Sequence, residues 1–348
     1  MKLSMIRATA LCSVVLLGLT ACGSDTDNAS NDGTSGGGNL VIYTARSEAL
    51  NNAVIPAFEE ETGIKVDLVT AGTGELVQRV ESEGANPLGD ILWAADETML
   101  YGNRELFEEY VSPENENMQE AFKNESGYFS AAFADPTVMI VNTDLKGDLE
   151  INGFEDLLQP ELKGKIAFGD PVNSSSAFQS LMAMLYGMGT DEDPMSDAAW
   201  DYVDKLIDNL DGKIINSSSQ VYTGVASGEY IVGLTWEDPA AHLANEGAPV
   251  EVVFPEEGAI FPGESVQIIK GAKNMDNAKK FVDFVLSQPI QDKVGQTTTI
   301  RPLREGAKLA EYMVPQEDIK MFETYDEAWV AQNKEEISLK YQELHSAN

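Results

Sequence analysis

Apolar positions along the chain follow two rhythms, short continuous runs and longer runs with a helical period. Leu40–Thr44 (Leu-Val-Ile-Tyr-Thr) reads as a buried strand, and the helix-period segment Ala45–Thr62 after it closes at Gly63. Glycine suits that position because it takes the left-handed backbone of a helix end without steric cost. Ile64–Thr70 is the next strand, Gly72-Thr73-Gly74 opens a helix over Glu75–Glu83, and Asp90-Ile91-Leu92-Trp93 is a third strand. This βαβ rhythm predicts an α/β fold in which each sheet is mostly parallel and flanked by helices.

The second half repeats the rhythm. Lys165–Phe168 reads as a strand, and Gly169–Phe178 (Gly-Asp-Pro-Val-Asn-Ser-Ser-Ser-Ala-Phe) joins it to an apolar helix carrying Phe178, Leu181, Met182, Leu185 and Met188. Asn216-Ser217-Ser218-Ser219 opens another helix around Val221–Ser227, and Tyr230–Leu234 is a strand ending at Trp236-Glu237-Asp238. Ala132–Asn142 and Ala259–Ile269 read as extended crossovers between two lobes. Some 300 residues exceed what one compact core holds, so two lobes are expected. We assign 40–134 plus 264–348 to the first and 135–263 to the second, with Asn277–Leu286 and the chain up to about Tyr325 returning to the first as helices.

The N-terminal end carries a different pattern. Lys2 and Arg7 precede an apolar stretch around Val14-Val15-Leu16-Leu17 that is too short to span a bilayer, so residues 1–21 read as an export signal. The small residues before Cys22 resemble the lipobox of bacterial lipoproteins, which implies lipidation of Cys22 and a membrane anchor there. Residues 22–39 lack large apolar side chains and form a flexible tether. Of the two cysteines, Cys12 lies in the signal and Cys22 at its end, so the body has no disulfide, thiol catalysis or cysteine–metal site.

Charge narrows the function classes. The formal net charge is −35, and loss of residues 1–21 removes Lys2 and Arg7 but no acid. So acidic a chain excludes nucleic acid as a partner. It also means that an anionic ligand would depend on local donors rather than long-range attraction.

Such donors gather at four turns: Thr44-Ala45-Arg46-Ser47, Gly72-Thr73-Gly74, Asn173-Ser174-Ser175-Ser176 and Ser217-Ser218-Ser219. Ligands of open α/β sheets bind beyond the carboxyl ends of the strands, where helix N-termini also gather. Two turns come from each lobe, so a small anion could bridge them. Each turn alone is equally an ordinary cap or tight turn: Thr44, Ser47 and the serines are common N-cap types, and Gly72 and Gly74 accommodate sharp bends. Arg46 is the charged partner expected for the anion, or equally a partner for one of the many Asp and Glu side chains, with Arg301 a second candidate. Trp236, Glu237 and Asp238 supply an aromatic wall and carboxylates that could accept from hydroxyls or pair with an ammonium, or else a core Trp beside an Asp-Pro helix entry. The two histidines, His242 and His345, fit no pattern for metal binding or nucleophile activation. We therefore expect no enzyme, cofactor or metal site.

The lipobox, Leu40–Thr44, Phe58–Val66 (Phe-Glu-Glu-Glu-Thr-Gly-Ile-Lys-Val), Gly89-Asp90-Ile91-Leu92-Trp93, Gly164-Lys165-Ile166-Ala167 and the Gly169–Phe178 segment together resemble the extracellular solute-binding proteins of ABC importers. The branch is that of ferric-ion, hexose-phosphate and 2-aminoethylphosphonate binders. The resemblance implies a two-lobed periplasmic-binding-protein fold (type II) with two crossover strands. It also implies a monomer outside the cytoplasm that delivers cargo to a permease with a cytoplasmic ATPase. Ferric members carry adjacent tyrosines after the strand that follows a Gly-Glu turn; here Gly228-Glu229 leads to Trp236-Glu237-Asp238 instead. The serine turn is similar to the phosphate-holding turn of the organophosphate members, which implies a phosphorylated sugar or phosphonate as cargo. The expected ligand set is Thr44, Arg46, Ser47, Thr73, Gly74, Asn173, Ser174, Ser175, Ser176, Ser218, Ser219, Trp236 and Glu237. Ferric ion remains the alternative within the class, and an extracytoplasmic phosphate-ester hydrolase the alternative outside it.

Overall fold

The computed structural model describes residues 38–96, 100–322 and 324–347. The export signal, Cys22 and nearly all of the tether lie outside the described residues. Two sheets organise the body. The first runs β10 (Arg301–Pro302), β4 (Ser130–Ala134), β9 (Gly263–Ile268), β3 (Ile91–Asp96), β1 (Asn39–Thr44), β2 (Lys65–Thr70), and the second β6 (Ile166–Ala167), β7 (Val232–Trp236), β5 (Thr137–Asn142), β8 (Val250–Val253). In the first, β1 (Asn39–Thr44) pairs in parallel with β2 (Lys65–Thr70) and β3 (Ile91–Asp96), while β9 (Gly263–Ile268) is antiparallel to both β3 and β4 (Ser130–Ala134). At its edge β10 (Arg301–Pro302) is antiparallel to β4.

In the second sheet β6 (Ile166–Ala167) and β7 (Val232–Trp236) are parallel, while β5 (Thr137–Asn142) is antiparallel to β7 and to β8 (Val250–Val253). The sheets are thus mixed rather than mostly parallel. The physical reason lies in the crossovers: each enters a sheet from the opposite lobe and so runs against the strands fed by the βαβ units.

Local chemistry fixes the first lobe. Helix α1 (Glu48–Thr62) is capped by Ser47, whose hydroxyl accepts from the Leu50 N–H at 3.4 Å, and it stops at Gly63, where φ is +70°. Its buried Phe58 packs edge-on against Phe281 (5.1 Å) and Phe284 (5.2 Å), both on helix α7 (Met275–Leu286). Aromatic pairs in this geometry contribute about 0.5–1.5 kcal/mol beyond burial of their area. The Gly89-Asp90 motif has a double purpose. A side chain at Gly89 would meet the Tyr43 ring at 2.7 Å. The buried Asp90 carboxylate accepts from the Val41 N–H (2.9 Å), the Asn274 N–H (3.0 Å) and the Asn274 amide (3.0 Å), tying β1 to the start of α7.

The second lobe is built around helix α3 (Ser175–Met188), buried continuously from Ser176 to Tyr186. Helix α4 (Asp197–Leu210) packs beside it. Helix α5 (Ser218–Ala226) and helix α6 (Glu237–Asn245) lie against β7. In the first lobe, helix α2 (Thr73–Glu83) contacts β1 and β3, and helix α8 (Gln288–Thr297) follows α7.

The segments joining the lobes are bonded to one another. The Thr137 N–H donates to the Ile260 carbonyl (3.0 Å) and the Ile260 N–H to the Thr137 hydroxyl (3.1 Å). A third segment joins them, with the Ala259 N–H donating to Lys320 O at 2.9 Å. Beyond it, helix α9 (Glu327–Ala347) sends Val330, Ile337 and Tyr341 into the apolar core of the second lobe. This corrects the assignment of 264–348 to the first lobe, because the chain crosses a third time near residue 320. Lys340 covers the Trp200 ring at 4.4 Å and strengthens the docking of α9 on α4.

Candidate functional site

A cavity of about 600 Å³ is lined by both lobes. The first contributes Ala45, Arg46, Thr73 and Gly74; the second contributes Asn173, Ser174, Ser175, Ser218, Tyr222, Trp236 and Asp238; and the joining segments contribute Asp135 and Glu264. The N-termini of α2, α3 and α5 therefore open on one space. The first turn of a helix leaves N–H groups without intrahelical partners and carries a partial positive charge, so three such ends favour an anion.

Each turn is held by its own bonds. Asp170 organises the serine segment: its carboxylate accepts from the Val172 N–H (3.0 Å) and the Asn173 amide (2.6 Å), and its carbonyl accepts from the Ser174 N–H (2.9 Å). Ser174 caps α3 by accepting from the Ala177 N–H at 3.3 Å, and its hydroxyl lies 3.2 Å from that of the buried Ser176. Ser175 stays exposed at the cavity wall. The α5 start reaches the same wall through the bridge between Gly169 and Ile215. Helices α2 and α5 have no side-chain cap.

Of the residues expected from the sequence, the cavity gathers Arg46, Thr73, Gly74, Asn173, Ser174, Ser175, Ser218 and Trp236. The others lie elsewhere. Thr44 is buried and its hydroxyl accepts from the Arg46 N–H (3.1 Å). Ser47 caps α1, Ser176 faces Ser174, and the Ser219 hydroxyl pairs with that of Ser217 at 2.8 Å. Glu237 departs furthest from the expectation. Its buried carboxylate takes two bonds from Arg301, at 2.5 and 2.6 Å, so these two side chains face each other rather than the cavity. Burial pushes the Glu237 carboxyl up from its ordinary value and the guanidinium holds it back. Arg46, expected to serve the anion, forms an ion pair with Glu264.

Asp238, one of the two acids read after Trp236, lines the cavity together with two carboxylates that were not foreseen, Asp135 and Glu264. Asp135 accepts from the Asp238 N–H at 2.8 Å, and Asp238 accepts from the Thr299 hydroxyl. Burial above all, then the charges of Asp238 and Glu264, push the Asp135 carboxyl well up from its ordinary range; the Asp238 N–H and Arg46 oppose this. The sequence did hold a signal. Asp135-Pro136 and Pro262-Gly263-Glu264 are acids set in the two expected crossovers. Among the described residues no group of three His, Cys, Asp or Glu could hold a metal ion. The tyrosine lining this cavity is Tyr222, whose phenol is pushed up by burial and by Asp238.

A larger space of about 810 Å³ lies between residues 120–126, the crossover at 259–263 and residues 321–327. The helix start there is already capped, since Asp326 accepts from the N–H groups of Ala328 (2.9 Å) and Trp329 (3.0 Å). It offers a ligand no set of converging helix ends.

The profile of the bacterial extracellular solute-binding protein family matches residues 53–323. The chain belongs to this family. It is similar to iron uptake protein A1 of Synechocystis sp., with 29% identity over 309 residues covering 84% of this chain and 83% of the relative. It is also similar to the spermidine/putrescine-binding periplasmic protein of Salmonella typhimurium, with 26% identity over 290 residues covering 80% of each. Among solved structures, the periplasmic binding protein AfuA of Actinobacillus pleuropneumoniae with fructose-6-phosphate bound superposes with a TM-score of 0.74. That match has 26% identity and covers 90% of this chain and 100% of the other. The fold is therefore the two-lobed type II fold of periplasmic binding proteins, and the chain is the extracytoplasmic solute-binding component of its transporter. Two of these proteins are named for iron and for polyamines and the third holds a sugar phosphate, so cargo must be argued from this chain's own cavity.

Proposed function

We propose that the protein captures a small organic anion, a phosphorylated sugar or a phosphonate, between its lobes and delivers it to an ABC permease driven by a cytoplasmic ATPase. The observation that carries this reading is the opening of three helix N-termini, with the Thr73, Ser175 and Ser218 hydroxyls, onto one cavity. Lys334 also lines the cavity and adds a positive charge. Contacts from both lobes to one guest would favour the closed arrangement, because they exist together only there. In this reading the chain works as a monomer tethered to the membrane through a lipid on Cys22.

Ferric ion is the competing cargo. Iron as a hard cation calls for several oxygen ligands, and Tyr222 is the one phenol among the described residues that line this cavity. A thermal-shift panel with glucose 6-phosphate, fructose 6-phosphate, 2-aminoethylphosphonate, inorganic phosphate and ferric citrate separates the readings. A cargo at 100 times its Kd stabilises the fold by about 2.7 kcal/mol. Stabilisation by ferric citrate alone refutes the organic-anion assignment. Release of inorganic phosphate from either sugar phosphate would instead favour the hydrolase.

A further inference from the structure

We propose that the cargo carries a cation as well as an anion: its negative head rests on the Thr73, Ser175 and Ser218 turns, and an ammonium sits between Asp135 and Asp238. This rests on the anion-site reading above and adds its second half.

The two carboxylates line the same cavity as the helix ends. They are also held in place: the Asp238 N–H donates to Asp135, and the Thr299 hydroxyl donates to Asp238. Among the described residues neither has a lysine or arginine within ion-pair distance, whereas Glu264 already has Arg46. Their charges therefore repel, with only the more distant Arg46, already paired with Glu264, to oppose them; burial is the larger cause of the upward push on the Asp135 carboxyl and the Asp238 charge the next. A ligand ammonium cancels that repulsion and donates hydrogen bonds to the carboxylates from its N–H groups. Trp236 and Tyr222 line the cavity too and offer aromatic faces, which attract cations.

Simpler cargoes use only half of these groups. A sugar hydroxyl would bond a carboxylate but bring no charge to offset the pair. A polyamine would set its ammonium groups against three positive helix ends and Lys334. A short aminoalkyl phosphonate or phosphate satisfies both ends at once, and a cavity of about 600 Å³ is within the range that small ligands occupy.

Isothermal titration of the full chain at pH 7.5 tests this with ligand pairs, so the main result needs no variant. We expect 2-aminoethylphosphonate to bind at least tenfold more tightly than ethylphosphonate, which keeps the head and lacks the ammonium. Fructose 6-phosphate should also bind more weakly. Asp238→Asn and Asp135→Asn should each narrow the gap between the two phosphonates. Equal affinity for the pair, or preference for fructose 6-phosphate, overturns the ammonium half and leaves the anion site standing. Binding of spermidine or ferric citrate with no phosphonate or phosphate binding, or no binding of any of these, refutes the anion site and this proposal with it.

Discussion

Arg301 and Glu237 form a fully buried, two-bond ion pair that joins the edge strand of the first lobe to the first turn of a second-lobe helix. Arg301 also lies over the Phe254 ring at 5.3 Å. Two charges in an apolar setting hold together only as a pair, since removing one partner leaves the other buried and uncompensated. Arg301→Leu should therefore cost about 3–5 kcal/mol of stability, read from urea denaturation. The double change Arg301→Leu with Glu237→Leu should recover most of that loss. If Glu237 instead contacted cargo, Glu237→Gln would weaken ligand affinity and leave the denaturation midpoint unmoved, and that result would sink the structural role.

The serine turn separates capping from recognition within two neighbouring residues. Ser174 accepts the Ala177 N–H as the N-cap of α3, while Ser175 is exposed at the cavity wall. Ser174→Ala should lower stability by about 1 kcal/mol through loss of the cap. Ser175→Ala should leave stability nearly unchanged and weaken an anionic cargo by about 1.5–3 kcal/mol, the usual size of a hydrogen bond to a charged group. Calorimetry of both variants checks this, and unchanged affinity in Ser175→Ala would return the turn to simple capping.

Much of the architecture was legible because its signals are local. The strand at Leu40–Thr44, the stop at Gly63 and the apolar run of α3 each follow from the period and the flanking residues of a few positions. The turns that meet at the cavity were legible for the same reason. What escaped was non-local. Nothing in Trp236-Glu237-Asp238 tells which acid faces the cavity until the position of Arg301, 64 residues away, is known. Arg46 likewise finds Glu264 only through the strand order. The docking of α9 on the second lobe was hidden because Val330, Ile337 and Tyr341 are few apolar positions in a largely polar helix.

Lipidation gives a prediction independent of the cavity. Cys22 lies outside the described residues, so its test is biochemical. Among the described residues no helix is long and apolar enough to cross a membrane. If Cys22 carries the lipid, acyl chains hold the protein at the membrane, each buried CH₂ contributing about 0.8 kcal/mol. Cys22→Ser should abolish labelling by radioactive palmitate and move the protein from the membrane fraction to the soluble one. Continued membrane retention of that variant would exclude the lipid anchor.

Asp135 ties stability to recognition through pH. Its folded carboxyl is raised by burial and by Asp238 and Glu264. Between the ordinary aspartate value, about 3.9, and that raised one, the folded chain holds more protons than the unfolded chain. Stability contributed by this group is therefore greatest at low pH and is lost as pH rises through the window. Asparagine keeps an oxygen that accepts the Asp238 N–H and carries no charge. Asp135→Asn should accordingly raise the urea midpoint of the ligand-free protein at pH 8, with the gain shrinking steadily toward pH 4. The same variant should bind 2-aminoethylphosphonate more weakly at pH 8, because the repulsion it relieves is what a ligand ammonium would offset. A gain in stability independent of pH would show that the Asp135 charge is not its source, and the link between the unpaired carboxylates and the cargo would fail there.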